Sequence, residues 1–298
     1  MSAEAIAKTV RDMRSGRVHR LDEEGDMTWS VIAKTLHDVP VVDITTVYNE
    51  FHEGEKAHML YEESVCRPPF WRAIYGFENS YGNVHLMYAV AVDRQESYYQ
   101  RDGNTDDFEA MRWDTLNDVD WDRIRWIVWT TFWIGGAVEN RTIHIPTAGP
   151  LMHVYIAVDE DGHPQDIHWR ARDERYKDIF EGALSVLLQA MTVLNCRNVE
   201  VLEPTSRPRH ERRRIERTGV TVSEIHVTKI GKYRRHDGPR RLGDGVPLST
   251  VRGHVARYGD KYGRGKLFGK YEGEFWVPAH LRGTAEVGEV KHDYVVGE

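Results

Sequence analysis

Two short motifs near the carboxyl end of the chain concentrate side chains that move protons and hold phosphates. The first is Arg-Gly-His-Val-Ala-Arg-Tyr at residues 252–258, and the second is Phe-Trp-Val-Pro-Ala-His-Leu-Arg-Gly at residues 275–283. Histidine is a general acid or base near neutral pH, and arginine, lysine and tyrosine stabilise charge that develops on a phosphate. These residue types could cleave RNA through its 2′-hydroxyl without a metal, or bind RNA without changing it.

Strand spacing discriminates between the histidines of this block. If residues 249–258 and 267–277 are the paired strands of a hairpin, His254 lies opposite a position near Tyr271. His280 then lies about 20 Å further along the strand, at about 3.3 Å per residue. His254 and His280 would therefore be a poor acid and base pair.

A third strand gives a better pair. If residues 286–296 return alongside residues 267–277, His292 comes close to Tyr271. Because neighbouring strands are about 4.8 Å apart, His254 and His292 would lie about 10 Å from one another across Tyr271, with room for a phosphate between them. The candidate catalytic residues are therefore His254, Tyr271 and His292.

The same block also has a purely structural interpretation. Its glycines could be bends of a small curved sheet, with Phe275 and Trp276 as core or edge residues. Charged residues of the block could form an ion-pair network, namely Arg252, Glu272 and Arg282. Arg257, Tyr258, Lys270 and Tyr271 would remain on the sheet surface, where cations beside aromatic rings are typical of a nucleic-acid platform.

Charge is divided unevenly along the chain. Residues 1–200 carry 20 Lys and Arg against 34 Asp and Glu, whereas residues 201–298 carry 20 against 13. Residues 207–270 alone carry 18 basic and 6 acidic residues. This asymmetry indicates a basic surface for a polyanion on an otherwise acidic protein.

Two arginine-rich segments, residues 206–217 and 231–241, contribute most of this basic charge. Neither contains enough apolar residues to fold around, so both are expected to be exposed arms or loops. Arginine outnumbers lysine in them, and its planar fork suits phosphates and bases. The candidate nucleic-acid-binding residues are Arg209, Arg212, Arg213, Arg214, Arg234, Arg235, Arg252, Arg257, Tyr258, Lys270, His280 and Arg282.

Several classes of protein are disfavoured by the sequence. The first residues make a poor secretory signal, and the longest uncharged apolar run is too short for a membrane span of about 20 residues. Two cysteines 130 positions apart indicate neither a disulfide framework nor a zinc site, and suggest a cytosolic protein. No cofactor is expected, since P-loop, dinucleotide and nucleophile motifs are absent. No metal is expected either, because the acidic stretch from Asp114 to Asp122 does not have the spacing of a calcium loop.

The first part of the chain is expected to contain short helices followed by an antiparallel sheet. Helical spacing predicts helices over residues 3–14 and 28–37. Three hairpins are then predicted from alternating aromatic and β-branched residues and from turn residues. They pair residues 70–77 with 84–92, 126–134 with 137–145 around Gly135-Gly136, and 151–158 with 166–169.

A helix with a wide apolar face is predicted over residues 176–194, followed by a strand over 199–202. We therefore expect an α+β fold, in which antiparallel sheet hairpins are covered by a helix and a small carboxy-terminal antiparallel β meander carries the basic arms. The domain boundary is placed between an acidic domain of residues 1–175 and a basic domain of residues 176–298.

The carboxy-terminal block resembles a large family of phage- and prophage-encoded proteins. The resemblance rests on Leu-Asn-Cys-Arg-Asn-Val at residues 194–199, the arginine-rich arm, the strand that contains Ser223 and His226, and the two motifs above. This family is similar, across the same block, to a type V anti-CRISPR inhibitor that acts on the message of the nuclease it targets. The resemblance implies a phage protein of the host cytosol that is associated with RNA and directed at host defence or translation.

Three hypotheses follow. The leading one is a regulatory or anti-defence protein that binds RNA through its basic carboxy-terminal block, without covalent chemistry. The second is a metal-independent ribonuclease that uses His254, Tyr271 and His292. The third is a protein-interaction module whose basic arms dock on an acidic partner.

Overall fold

The computed structural model of the chain describes residues 2–15, 18–19, 36–52, 64–93, 120, 122–137, 144–148, 152–171, 177–202, 208–228, 247–251, 253–277, 280–282 and 284–289. The chain forms two compact units. The first comprises Met1–Asn195 and Glu200–His226, and the second comprises Cys196–Val199 and Val227–Glu298. This division differs from the boundary predicted at residues 175/176, because the long helix and the first arginine-rich segment belong to the first unit.

The first unit combines helices with one large sheet. Its described helices are α1 (Ser2–Arg14), α2 (Thr45–His52), α3 (Lys177–Leu194) and α4 (Arg209–Glu216). Its described strands are β1 (Val18–His19), β2 (Val41–Asp43), β3 (Arg72–Glu78), β4 (Asn83–Asp93), β5 (Ile124–Ala137), β6 (His144–Ala148), β7 (Met152–Asp159), β8 (Pro164–Ala171), β9 (Val199–Leu202) and β10 (Val222–Val227). No helix in the described ranges is long and apolar enough to cross a membrane.

The sheet is mixed rather than antiparallel. Its strands follow the order β1, β6, β5, β4, β3, β2, β10 and β9, and β7 pairs with β5 and β8. The β3–β4 and β7–β8 hairpins are antiparallel, as predicted. The β4–β5 pair is antiparallel too, although it was not predicted, and β2 is parallel to both β3 and β10. The α+β class is therefore confirmed. The helices predicted over residues 3–14 and 176–194 are also observed, as α1 and α3.

The hairpin predicted around Gly135-Gly136 is wrong. Strand β5 continues through both glycines, which lie opposite Val84 and Asn83 of β4. On its other edge, β5 pairs first with β7 as far as Thr131 and then with β6 from Ile134 onward. Two adjacent glycines suit a tight turn, but pairing along the whole of β4 keeps this segment extended.

The sheet is buried on both faces at its centre. Every residue from Val84 to Val92 in β4 is buried, so this strand lacks the alternation of a half-exposed strand. Helix α1 packs on one face through Ile6, Ala7, Val10 and Met13, in a cluster with Ile74, Leu86, Tyr88, Trp129 and Trp133. The helix approaches closely at Gly76, where a Cβ atom would lie 2.9 Å from Cγ2 of Ile6.

Helix α4 replaces part of an arm that was predicted to be exposed and irregular. It forms because Ile215, a single apolar residue among arginines, is buried in the same cluster as the apolar residues of α1. Arginine, the commonest residue of this segment, is itself a good helix former. Helix α3 is also more buried than predicted, since every residue from Ala183 to Met191 is buried. The helix predicted over residues 28–37 lies largely outside the described residues.

The second unit contains two small sheets in its described part. Strands β12 (His254–Tyr258) and β13 (Gly273–Val277) form an antiparallel hairpin, joined by a long loop that includes a 3-10 turn at Asp260–Tyr262. Strand β11 (Pro247–Val251) lies between β14 (His280–Arg282) and β15 (Thr284–Glu289). The predicted meander is therefore split, because β15 pairs with β11 and not with β13.

Candidate nucleic-acid interface

Arginines on α4 form a continuous stripe on the surface of the first unit. Arg209, Arg213 and Arg217 are spaced four residues apart, and Arg217 keeps helical backbone angles as the helix ends. At 3.6 residues per turn, this spacing places them on one face, opposite the buried Ile215. All three are exposed, and none forms an ion pair with another residue of the described ranges. We call these three residues the arginine stripe.

The remaining candidates on α4 differ from the stripe. Arg212 is exposed, but it lies on the side of the helix between the stripe and Ile215. Nη1 of Arg214 lies 3.3 Å from Oε2 of Glu4 on α1, so this guanidinium already has a carboxylate partner. Of the four predicted binding residues on α4, the stripe contains Arg209 and Arg213 but not Arg212 or Arg214. It also contains Arg217, which was not among the predicted residues.

The other predicted residues all belong to the second unit. Arg234, Arg235, Arg252 and His292 lie outside the described residues. His280 and Arg282 lie on β14, at positions opposite Val251 and Ser249 of β11.

The register of the β12–β13 hairpin differs from the predicted one. His254 lies opposite Val277, and Tyr258 lies opposite Gly273. Tyr271 pairs instead with Leu267 in an isolated bridge. Tyr271 is therefore six residues from the position opposite His254, about 20 Å along an extended chain. The expected approach of His254 to Tyr271 is wrong, because the connecting loop contains 14 residues, from Gly259 to Glu272, rather than the eight residues 259–266 that the predicted pairing required.

Two predicted binding residues of this hairpin take part in its internal packing. Nε of Arg257 donates a hydrogen bond of 2.9 Å to Oε1 of Glu274, the residue opposite it on β13. The ring of Tyr258 contacts Phe275 edge-on, with centroids 6.1 Å apart. Both side chains are only partly exposed. Their contacts favour a structural role over direct binding.

The loop between β12 and β13 carries a tight turn, residues 267–271, which we call the Phe268 turn. Phe268 has a φ of +54°, and 69% of its surface is exposed. It is the one non-glycine residue with positive φ in the described part of the chain. A bulky residue in this conformation costs about 1–3 kcal/mol, and such strain is often found at functional sites.

Cationic residues lie next to the Phe268 turn in the sequence of this loop. Nζ of Lys270 lies 5.6 Å from the centroid of the Tyr271 ring, which is 39% exposed. Arg264 is exposed in the same loop. Lys266 forms an ion pair with Glu272, and its pKa is raised mainly because it donates a hydrogen bond to that carboxylate. The loop thus presents two exposed aromatic rings among positive charges.

The Cys-Arg-Asn segment that supported the family resemblance has a structural role in the second unit. The backbone N of Arg197 donates to the carbonyl of Glu274 at 2.9 Å, and the Asn198 side chain bonds to the backbone of Trp276. Burial raises the pKa of the Cys196 thiol to about 12. This thiol therefore stays protonated at neutral pH and is a poor nucleophile.

Sequence reasoning missed Phe268 because residues 267–277 were interpreted as one strand, in which Phe268 would be an ordinary strand residue. The available signal was a lone Phe between turn-forming residues, in Gly-Lys-Leu-Phe-Gly-Lys. No group of three His, Cys, Asp or Glu side chains comes together as a metal site would require among the residues that the structure describes.

Comparison with known proteins identifies no relative. No protein-family model, no curated protein and no solved structure matches the chain.

Proposed function

We propose that this protein binds RNA through basic surfaces, without covalent chemistry, as a regulator of the kind implied by the resemblance to phage anti-defence proteins. The observation that carries the proposal is the arginine stripe on α4. Three exposed guanidinium groups repeat along one helix face, and none has a carboxylate partner among the described residues. A polyanion is the natural complement of such a surface.

The energetics of the stripe support this proposal. Like charges four residues apart on a helix destabilise it by about 0.2–0.5 kcal/mol per pair. The stripe contains two such pairs, from Arg209 to Arg213 and from Arg213 to Arg217. Repeating phosphates would relieve this repulsion and release their own counterions. Exposed Glu216, three residues after Arg213, offsets part of this repulsion, but the face keeps a net positive charge.

The geometry of the stripe also suits a phosphate backbone. A rise of 1.5 Å per residue spaces the three arginines by about 6 Å along the helix axis. Each guanidinium can form two parallel hydrogen bonds to phosphate oxygens, which a lysine ammonium cannot. An acidic protein partner would be the main competitor for this face.

The ribonuclease hypothesis receives less support. It depended on Tyr271 lying opposite His254, and the observed register puts Val277 in that place. The strand that was expected to bring His292 alongside β13 pairs with β11 instead. We therefore propose binding in preference to cleavage.

The test measures binding of a fluorescent single-stranded RNA of 20 nucleotides by anisotropy, over a range of salt concentrations. The intact protein should show a linear dependence of log affinity on log salt, with a slope of about −0.7 for each phosphate neutralised. Replacing all three stripe arginines by glutamine should flatten the slope by about 2. Glutamine keeps a similar helix propensity, so the helix itself should persist.

A matched control removes exposed arginines elsewhere in the first unit, through Arg67→Gln and Arg123→Gln. Per charge removed, this control should change the slope much less than the stripe variant does. Undetectable or salt-independent RNA binding would overturn the proposal. So would binding of an acidic peptide that the stripe variant loses while RNA binding stays unchanged.

A further inference from the structure

The Phe268 turn has a closely defined backbone. Leu267 N donates to the carbonyl of Tyr271 at 2.7 Å, and Tyr271 N donates back to the carbonyl of Leu267 at 3.0 Å. Lys270 N also donates to the carbonyl of Leu267, and Gly269 N donates to the carbonyl of Lys266. These bonds hold Phe268 at the tip of the turn, with its backbone in the left-handed region.

The exposed ring of Phe268 is not explained by the stability of the second unit. A left-handed backbone is unfavourable for phenylalanine, and glycine would adopt it without strain. The side chain is 69% exposed, so it gains little from burial in the free protein. None of the residues that the structure describes buries this ring, so burial within the described part of the chain does not compensate for the backbone strain.

The surroundings of the ring indicate what that contact is. Tyr271, three residues later, is a second exposed ring, and Lys270 lies beside it. Arg264 is exposed in the same loop. Aromatic rings interspersed with cations are the surface on which single-stranded nucleic acids bind, because bases stack on the rings and phosphates meet the cations.

We infer that the Phe268 turn is a stacking site for unpaired bases, and that the protein therefore prefers single-stranded RNA to duplex RNA. This inference rests on the proposed RNA binding and adds a substrate class to it. Phe268 is the stacking residue, and Tyr271 with Lys270 supports the neighbouring nucleotide. Bases in a duplex are already stacked on one another, so none of their faces is free to stack on the Phe268 ring.

Two variants of Phe268 separate binding from stability. Phe268→Ala and Phe268→Gly both remove the ring and should weaken binding of single-stranded RNA by about 5- to 150-fold, the range expected for the loss of one stacked base. Duplex affinity and the salt slope should stay unchanged. Phe268→Gly should in addition raise the melting temperature of the second unit, since glycine tolerates the left-handed backbone.

A matched control is Tyr81→Ala, which removes an 81%-exposed aromatic ring from the turn between β3 and β4. It should leave both affinities unchanged. RNA that contains 2-aminopurine provides a direct readout, because stacking on Phe268 should change its fluorescence with the intact protein and not with Phe268→Ala.

The outcomes distinguish the two proposals. If the intact protein binds no RNA, the proposed function fails, and this inference fails with it. If RNA binds with a salt slope that depends on the stripe, but Phe268→Ala leaves the preference for single strands and the 2-aminopurine signal unchanged, only this inference fails. Loss of binding to anionic vesicles or to an acidic peptide in Phe268→Ala, without loss of RNA binding, would also overturn it.

Discussion

The side-chain amide of Asn198 pairs with both backbone groups of Trp276. Its Nδ2 donates to the carbonyl oxygen of Trp276 at 2.9 Å, and the backbone N of Trp276 donates to its Oδ1 at 2.8 Å. The asparagine thus bonds to β13 as a neighbouring strand would. Asn198 is 7% exposed, so these bonds lie away from water. This pairing ties residues 196–199 to the carboxy-terminal part of the second unit.

Asn198→Ala should destabilise the second unit by about 2–6 kcal/mol, because two backbone groups of Trp276 lose this hydrogen-bond partner at about 1–3 kcal/mol each. Hydrogen exchange of residues 273–277, measured by mass spectrometry, should accelerate accordingly. Asn49→Ala, at an exposed position on α2, is the control and should change nothing there. Unchanged exchange in Asn198→Ala would show that the pairing contributes little.

Arg257 should prove to be a stabilising residue and not a binding residue. Its ion pair with Glu274 joins β12 to β13, and the side chains are 32% and 13% exposed. Arg257→Gln should cost about 1–2 kcal/mol of stability, since it leaves a largely buried carboxylate without its cation. The salt slope of RNA binding should not change.

The double variant Arg257→Gln/Glu274→Gln should recover part of that stability, as measured by urea denaturation. Arg264→Gln, at an exposed position in the loop, should leave stability unchanged. If Arg257→Gln instead kept full stability and flattened the salt slope, Arg257 would be a binding residue.

Gly76→Ala should destabilise the first unit by about 1–3 kcal/mol, as overpacking of a core does. The added methyl group would lie 2.9 Å from Cγ2 of Ile6 and 3.0 Å from Cδ2 of Leu86, so α1 would have to move away from β3. Gly182→Ala offers the contrasting control, because nothing lies within 4 Å of a Cβ atom at this position on α3. It should stabilise the protein by about 0.5–1 kcal/mol through helix propensity, and thermal denaturation compares the two.

His85 should make the first unit less stable in acid. Its ring stacks on Phe77 with centroids 4.7 Å apart, and Nδ2 of Asn79 donates to its Nε2 at 3.2 Å. Burial lowers the pKa of His85 to about 4. Because the unfolded chain takes up this proton near its ordinary pKa of about 6.5, stability should fall as the pH drops from about 6.5 towards 4, by about 2.5 kcal/mol at pH 4.5.

His85→Phe should remove this part of the pH dependence, because phenylalanine can still stack on Phe77 and does not titrate. Urea denaturation at pH 7, 5.5 and 4.5 measures the effect. His37→Gln, which removes an exposed histidine, should leave the dependence as it is. An identical loss of stability in acid with and without the His85 imidazole would contradict the assignment.

The sequence was sufficient to predict those elements that depend mainly on residues close together in the chain. The turn residues between β3 and β4, and the apolar face of α3, led to elements close to the observed ones. Partners distant in the sequence decided the rest. Strand β5 runs through Gly135 because β4 pairs with it there, and α4 is helical because Ile215 is buried with α1. The residues next to β5 and α4 in the sequence include neither β4 nor α1, so a local pattern could not predict these contacts.

The candidate site shows the same limit. The basic charge of residues 207–270 was evident from composition, and the exposed arginines of α4 lie within it. The hairpin register was not evident, because a loop of unknown length separates β12 from β13. That length decides whether Tyr271 lies opposite His254 or pairs with Leu267.

Ile215 has a consequence beyond the packing of α4. An arginine-rich arm without structure would have to be ordered when it met its ligand, and that ordering would subtract from the affinity. Because one buried isoleucine fixes the helix against α1, the arm is already preorganised when the chain folds. If α4 binds a polyanion as proposed, a core substitution that loosens Ile215 would weaken that binding without touching the ligand, because the helix would then have to be ordered on binding.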